Sequence, residues 1–389
     1  MFGVLLALIY ICFISLGLPD SLLGSAWPVL HADISVPMSY AGIISAVISI
    51  GTIISSFFCD RTVRRLGSGR MTAVSIGMTA IALFGFSVSK SFIALVLWAI
   101  PYGLGAGGVD AVLNNYVALH FKPQHMSWLH CFWGVGASVS PYIMTFALVK
   151  LESWSRGYLI VSVIQIILSA IVFISLPLWK KATEQGEGGE KEASGKPMRL
   201  GEILSIPGAV PCMLTFFAYC GFEISSSLWV SSYLVLNRGV DVKTASGFAS
   251  MFYIGITAGR AINGFLAMRF SDRTLIRTGF AVIAVGVLMI FIPLGALPAL
   301  AGFMAIGLGC APIYPCIIHM TPSVFGRERS QAMIGIQMAF AYLGFCLTPP
   351  LFGAIAEHIT IALLPVFLSV LLVFMVAMHE IMVLRTKSK

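Results

Sequence analysis

The sequence predicts an all-α polytopic membrane protein with about twelve transmembrane helices. Hydrophobic residues make up 58% of the 389 residues and charged residues only 10%, whereas a soluble domain carries about 25% charged residues. Apolar segments of spanning length alternate with short polar breaks along the chain. This arrangement excludes a soluble globular enzyme.

The expected spans begin with an apolar segment that lacks a basic n-region and an A-x-A cleavage site, so we interpret it as a spanning helix and not a signal peptide. A charged, Gly-rich stretch follows the sixth span and predicts a flexible linker at 180–199, between six-helix domains at 1–179 and 200–389. The spans are expected near residues 4–30, 39–59, 71–89, 92–118, 127–149, 157–179, 208–236, 245–267, 274–293, 297–320, 330–355 and 360–384.

The net charge of +8 does not indicate nucleic-acid binding, because the basic residues cluster in alternate loops, as the positive-inside rule requires. We therefore expect a multi-pass protein of the cell (inner) membrane with both termini and the linker in the cytoplasm. The cytoplasmic set comprises Arg61, Arg64, Arg65, Arg70, Lys122, Lys180, Lys181, Lys191, Lys196, Arg199, Arg269, Arg273, Arg277, Arg327, Arg329, Arg385, Lys387 and Lys389.

The two halves resemble each other. Gly51-x4-Ser56-Phe57-x3-Arg61 recurs as Gly259-x4-Gly264-Phe265-x3-Arg269, Gly136-x3-Ser140-Pro141 as Gly344-x3-Thr348-Pro349, and Gly103-Leu-Gly105 as Gly307-Leu-Gly309. The three matches occur in the same order in both halves. They predict two six-helix pseudo-repeats, an arrangement that places the binding site of many secondary transporters at the repeat interface.

Asp110 is the most informative residue, because a carboxylate inside an apolar helix must face a wet cavity, find a partner or be protonated. The glycines that precede it allow a neighbouring helix to come close. Asp20 follows Pro19, where we expect a bend and free carbonyl groups. Trp27 lies seven residues on and could stack against a sugar ring, although an interfacial aromatic belt explains it equally well. A carboxylate that only supports helix packing is the alternative for Asp110.

Several motifs resemble a known family. Ser56-Phe-Phe-Cys-Asp60-Arg61 with Arg64 and Arg65 resembles the loop after the second helix of the major facilitator superfamily. Asp110-x3-Asn114-Asn115-Tyr116-Val117, Pro19-Asp20-Ser21-Leu22 and His130-Cys-Phe132-x3-Gly136 are similar to segments of its fucose permease group, the fucose, galactose and glucose proton symporters.

This resemblance implies the major facilitator fold and proton-coupled uptake of a sugar, with Asp20 and Asp110 binding the proton. Asn114, Asn115 and His130 would then contact the sugar. Asp60, Arg61, Arg64, Arg65 and Arg269 would act in gating, although a basic loop that only fixes topology explains them as well.

In the second half, Tyr219, Glu223 and Ser227 form one polar stripe, and Tyr253, Thr257 and Arg260 form another. Arg260 lies too deep to snorkel and needs an acid, for which Glu223 is the natural candidate. A structural Glu223–Arg260 pair and direct substrate contact remain alternatives. Gln337 and Tyr342 are expected as wall or packing residues. His319 follows a broken helix, and we expect its ring to bond the carbonyl groups freed there.

The motifs of hydrolases, metalloproteases and nucleotide-binding enzymes are not found, so we expect no enzymatic activity, no cofactor and no metal site. The predicted partners are a small polar, sugar-like solute, the proton and the lipid bilayer, without nucleic acid, and the predicted functional state is a monomer. A proton-driven drug or metabolite exporter is the first alternative. A lipid flippase or a non-transporting membrane sensor is the alternative from another class.

Overall fold

The computed structural model describes residues 2–20, 22–37, 40–185, 198–240 and 242–386. It describes the side chains of these residues except those of 2, 28, 181–185, 242–251 and 253. No β-strand occurs in the described ranges. The helices are α1 (Phe2–Asp20), α2 (Leu22–Asp33), α3 (Ala41–Leu66), α4 (Ser68–Val88), α5 (Phe92–His120), α6 (Pro123–Lys150), α7 (Trp154–Ile174), α8 (Leu176–Gln185), α9 (Leu200–Leu204), α10 (Ala209–Arg238), α11 (Val242–Leu266), α12 (Asp272–Phe291), α13 (Leu297–Cys310), α14 (Ile313–Phe325), α15 (Arg327–His358), a 3₁₀ turn (Ile361–Leu363) and α16 (Leu364–Thr386).

Eleven of the twelve predicted membrane helices are confirmed. Among the described residues, 11 helical ranges are long and apolar enough to cross a bilayer, the first being Gly3–Trp27. Helix α11 has 25 residues and occupies the place of the remaining predicted span. The chain is therefore an all-α polytopic membrane protein. Ser21 lies outside the described residues, so the bend expected after Pro19 remains a prediction.

Two helix boundaries differ from the sequence-based expectation. The second span was expected to end near residue 59, but α3 continues to Leu66 and only Gly67, with a positive φ of 77°, separates it from α4. Hydropathy detects where apolar residues end, whereas Asp60 and Arg64 pair one helical turn apart and support the helix beyond that point. The broken stretch expected before His319 is confirmed, because α13 ends at Cys310 and α14 begins at Ile313.

The glycines of the internal repeat occupy equivalent helix contacts. A methyl group on Gly136 in α6 would collide with the Ile14 carbonyl of α1, and one on Gly344 in α15 would collide with the Phe217 carbonyl of α10. Likewise, Gly51 packs against the backbone of α5, whereas Gly259 packs against the backbone of α13 and the Ala311 side chain that follows it. Equivalent glycines thus allow equivalent helices to approach, which confirms the duplication.

The helices form two compact units by their contacts. Unit 1 comprises Met1–His120, Leu129–Met198 and Arg327–Gly335. Unit 2 comprises Phe121–Trp128, Arg199–Gly326 and Ile336–Lys389. Residues 186–197 of the predicted linker lie outside the described residues, so the division at 180–199 remains a prediction.

Candidate functional site

The glycine-rich stretch of α5 positions the first candidate carboxylate, Asp110. Methyl groups on Gly103 and Gly107 would strike the backbone of α3, and methyl groups on Gly105 and Gly108 would strike α4. Because none of these glycines has a side chain, α5 lies close against both neighbours. The prediction that this stretch serves helix contact is confirmed.

Asp110 lies in a buried polar network of unit 1. Its side chain is 6% exposed, and Asn114 Nδ2 donates to Asp110 Oδ1 at 2.7 Å. The oxygen of the same amide, Asn114 Oδ1, accepts a hydrogen bond from His130 Nε2 of α6 at 3.1 Å. The His130 ring stands edge-on to Phe13 of α1, with centroids 5.4 Å apart. Three of the predicted site residues are therefore brought together.

Asp20 is held by two aromatic donors and remains exposed. Trp133 Nε1 of α6 donates to Asp20 Oδ2 at 2.9 Å, and the Tyr102 hydroxyl of α5 donates to Oδ1 at 3.3 Å. The approach of α1 and α6 makes this possible, because a methyl group on Gly17 would collide with the Trp133 carbonyl. Trp133 and Tyr102 were not predicted, since nothing in their local sequence distinguishes them from packing aromatics.

Neither carboxylate has a cationic partner within the described part of the chain, where the ion pairs are Asp60–Arg64, Glu223–Arg260, Asp272–His319 and Glu380–Arg277. Asp20 and Asp110 are held by neutral hydrogen-bond donors. Such a site can gain or lose a proton without breaking a salt bridge.

Other predicted residues of unit 1 lie elsewhere. Trp27 is 3% exposed and packs in an apolar cluster with Phe86 and Tyr158, an environment that favours its role in packing. Asn115 Nδ2 donates to Gln331 Oε1 at 2.8 Å and thus points away from the Asp110 network. Substrate contact by Trp27 and Asn115 remains a prediction.

The predicted gating residues divide into two groups. Asp60 is 5% exposed, and Arg64 Nε donates to it at 2.9 Å. Arg61, Arg65 and Arg269 are exposed. The gating role of these residues remains a prediction. The ion pair that they form among the described residues, Asp60–Arg64, lies within α3 itself.

In unit 2 the predicted acid and base do meet. Arg260 Nη2 of α11 lies 3.7 Å from Glu223 Oε1 of α10. Tyr219 is fully buried, and its hydroxyl donates to the Cys310 carbonyl at 3.0 Å. Ser227 lies in the same helix, one turn beyond Glu223, and its hydroxyl donates to the Ile224 carbonyl.

The remaining predicted residues of unit 2 have mixed surroundings. Gln337 is fully buried and bonds Thr321, an environment that favours packing. Tyr342 is half-buried beside Phe345. The Tyr253 side chain lies outside the described residues.

The carbonyl partner expected for His319 is wrong. His319 Nδ1 lies 2.7 Å from Asp272 Oδ2 of α12. A carboxylate on a neighbouring helix replaces the carbonyl groups freed at the break, because the charged acceptor makes the stronger hydrogen bond. Asp272 is distant in sequence, so its proximity was not evident.

A duplicated bundle of spanning helices that carries buried, hydrogen-bonded carboxylates defines a membrane transport protein. The sequence profile of the Major Facilitator Superfamily matches residues 9–248 and, in a second match, residues 211–389. The chain belongs to that superfamily. It is therefore a transporter and not an enzyme.

Individual proteins resemble the chain over nearly its whole length. Bypass of stop codon protein 6 of Saccharomyces cerevisiae is 23% identical over 389 residues, which cover 91% of this chain and 77% of that one. The glucose/mannose transporter GlcP of Bacillus subtilis is 22% identical over 400 residues, which cover 98% and 94%. The crystal structure of the E. coli fucose:proton symporter FucP superposes with a TM-score of 0.75 at 15% identity, covering 96% and 98%. The last similarity confirms the major facilitator fold.

Proposed function

We propose that this transporter imports a sugar or a similar small polar solute together with protons. It would act by alternating access, as a monomer in the lipid bilayer of the cell (inner) membrane, with both termini in the cytoplasm. The observation that carries the proposal is the pair of carboxylates in unit 1, Asp20 and Asp110, which are held by neutral donors.

The proposed coupling depends on charge. An ionised carboxylate in apolar surroundings is costly unless it is paired, and the buried Asp110 has no cation beside it among the described residues. Proton binding removes that charge before the helices rearrange. Because Asp110 shares the Asn114 amide with His130, a solute hydroxyl that engages Asn114 or His130 would directly alter the hydrogen bonding of the carboxylate.

Asp20 supplies the second part of the proposed site. Its carboxylate accepts from Trp133 and Tyr102 and is still exposed. Sugar hydroxyls need acceptors, and an aromatic ring offers a face for the C–H side of a sugar. Trp133 provides an aromatic ring beside the acceptor Asp20, whereas Trp27 is buried in an apolar cluster. The similarity to the sugar transporters GlcP and FucP supports the choice of solute class.

The test is sugar uptake into proteoliposomes by the wild type and Asp110→Asn. The substituted amide keeps an oxygen that can accept from Asn114 but cannot release a proton. We expect Asp110→Asn to lose accumulation driven by an imposed pH gradient and to retain sugar exchange at equal concentrations on both sides, which needs no net proton movement.

Asp20→Asn is assayed in the same way and is expected to lose gradient-driven accumulation, and Asp33→Asn is its matched control. Asp33 also accepts an indole N–H, from Trp154 at 2.8 Å, but lies exposed at the end of α2. Full gradient-driven accumulation by Asp110→Asn would contradict proton coupling through this residue. Solute that leaves the vesicle lumen when the lumen is the alkaline side would identify the exporter instead.

A further inference from the structure

Arg260 and Glu223 form a buried ion pair in unit 2. The side chains are 6% and 14% exposed, and the closest nitrogen and oxygen are 3.7 Å apart. The other Arg–Glu pair of unit 2, Arg277–Glu380, is 2.6 Å long, with side chains that are 53% and 36% exposed. The buried pair is thus a close contact of charges, but it is longer than the roughly 2.8 Å of a charge-assisted hydrogen bond.

The positive charge of Arg260 and the negative charge of Glu223 cancel, so the pair as a whole is neutral. A buried guanidinium remains charged under all ordinary conditions, so its charge must be cancelled by an acid. Glu223 lies one helical turn after Tyr219, whose hydroxyl is held by the Cys310 carbonyl. Glu223 is the acid that the described ion pairs place beside Arg260.

Among the residues that the structure describes, Arg260 is the only arginine or lysine whose side chain is buried. In unit 1, Asp20 and Asp110 lie in spanning helices and have no cationic partner among the described residues. A negatively charged solute that reaches the pair in unit 2 would therefore meet a guanidinium that an acid already neutralises.

We infer that Glu223 determines the charge selectivity of the transporter. By cancelling the charge of Arg260, it makes the protein accept neutral sugars and reject sugar acids of the same shape. This inference rests on the proposed function, because it specifies the class of sugar that is carried. It also predicts how the selectivity changes. Without Glu223, Arg260 has a charge that the carboxylate of a sugar acid can cancel, and guanidinium and carboxylate groups match in geometry.

The experiment compares matched ligands on purified full-length protein in detergent. Glucose and galactose are each paired with the corresponding uronic acid, and binding is measured by thermal shift and by displacement of a radiolabelled sugar. Wild-type protein is expected to prefer the neutral member of each pair by at least about tenfold, because rejection of an uncompensated charge is strong. Glu223→Gln is expected to change that ratio by at least about tenfold in favour of the uronic acid.

Three further variants identify the cause. Glu380→Gln removes the acid of the exposed Arg–Glu pair and is expected to leave the ratio unchanged. Glu223→Gln combined with Arg260→Gln removes both charges and is expected to restore the neutral preference. Glu223→Asp, which keeps the charge on a shorter side chain, is expected to shift the ratio less than Glu223→Gln and provides the comparison if the latter fails to fold.

Three results would overturn the inference. The wild type could bind the uronic acid and the neutral sugar with equal affinity, or both Glu223 variants could leave the preference for the neutral sugar unchanged. The third result is a change of that preference in Glu380→Gln equal to the change in Glu223→Gln. A wild type that binds none of the four sugars would instead refute the proposed function itself, and the inference with it. The two failures are therefore distinguishable.

Discussion

Replacing Gly136 by alanine should destabilise the protein, although alanine is the better helix former. In an unobstructed helix, the substitution stabilises by about 0.5–1 kcal/mol. At Gly136, however, the added methyl group would collide with the Ile14 carbonyl oxygen and lie 3.1 Å from the Leu18 nitrogen. Both are backbone atoms, so no change of rotamer can relieve the overlap and α6 must move away from α1. Overpacking of this kind costs about 1–3 kcal/mol, which leaves a net loss of up to roughly 2.5 kcal/mol.

The assay is thermal unfolding of purified protein in detergent, followed by intrinsic tryptophan fluorescence. Gly136→Ala is expected to lower Tm by a few degrees. Gly24→Ala is the matched control, because a methyl group there has no heavy atom within 4 Å, and it is expected to maintain or raise Tm. Gly344→Ala should behave like Gly136→Ala, since it occupies the equivalent contact of the repeat. A Gly136→Ala protein as stable as Gly24→Ala would refute the reasoning.

Trp133→Phe removes the indole N–H that donates to Asp20. Because a hydrogen bond to a charged group contributes about 1.5–3 kcal/mol, gradient-driven sugar uptake should fall by roughly tenfold or more. Trp154→Phe, which removes the donor of Asp33, should leave uptake unchanged, and equal losses in both variants would contradict the role given to Trp133. His379→Leu should raise Tm by a few degrees, because this histidine is fully buried and neither ring nitrogen has a hydrogen-bond partner among the described residues. A lower Tm in the same fluorescence scans would show that the imidazole has a stabilising contact.

Much of the fold could be predicted from the sequence, because the bilayer imposes a simple length and composition on each spanning helix. The repeat was also visible, since Gly136 and Gly344 are required by the same close approach of two helices. Helix ends were less predictable. Hydropathy placed the end of the second span near residue 59, whereas the Asp60–Arg64 pair extends α3 to Leu66.

The candidate site was predictable only in part. Asp20 and Asp110 stand out because charge is rare in apolar helices, and the spacing of four residues correctly placed Asn114 beside Asp110. Their partners across helices did not stand out. Trp133 and Tyr102 contact Asp20 only because three helices converge in unit 1, and an aromatic residue in an apolar segment is common.

The same limit applies to the contacts of Asn115 and His319. Both were interpreted from neighbours in the sequence, yet Asn115 donates to Gln331, which lies 216 residues further along, and His319 bonds Asp272. A short polar motif indicates that a side chain needs a partner. It does not indicate which helix provides that partner.

Proton coupling through Asp20 and Asp110 is tested most directly by the pH change that accompanies sugar entry. Sugar is added to a lightly buffered, anaerobic suspension of energy-depleted cells that express the transporter, and the external pH is recorded. The wild type should make the medium more alkaline as sugar and protons enter together, and Asp20→Asn and Asp110→Asn should abolish that change. Sugar entry by the wild type without alkalinisation, or undiminished alkalinisation in both variants, would contradict the account.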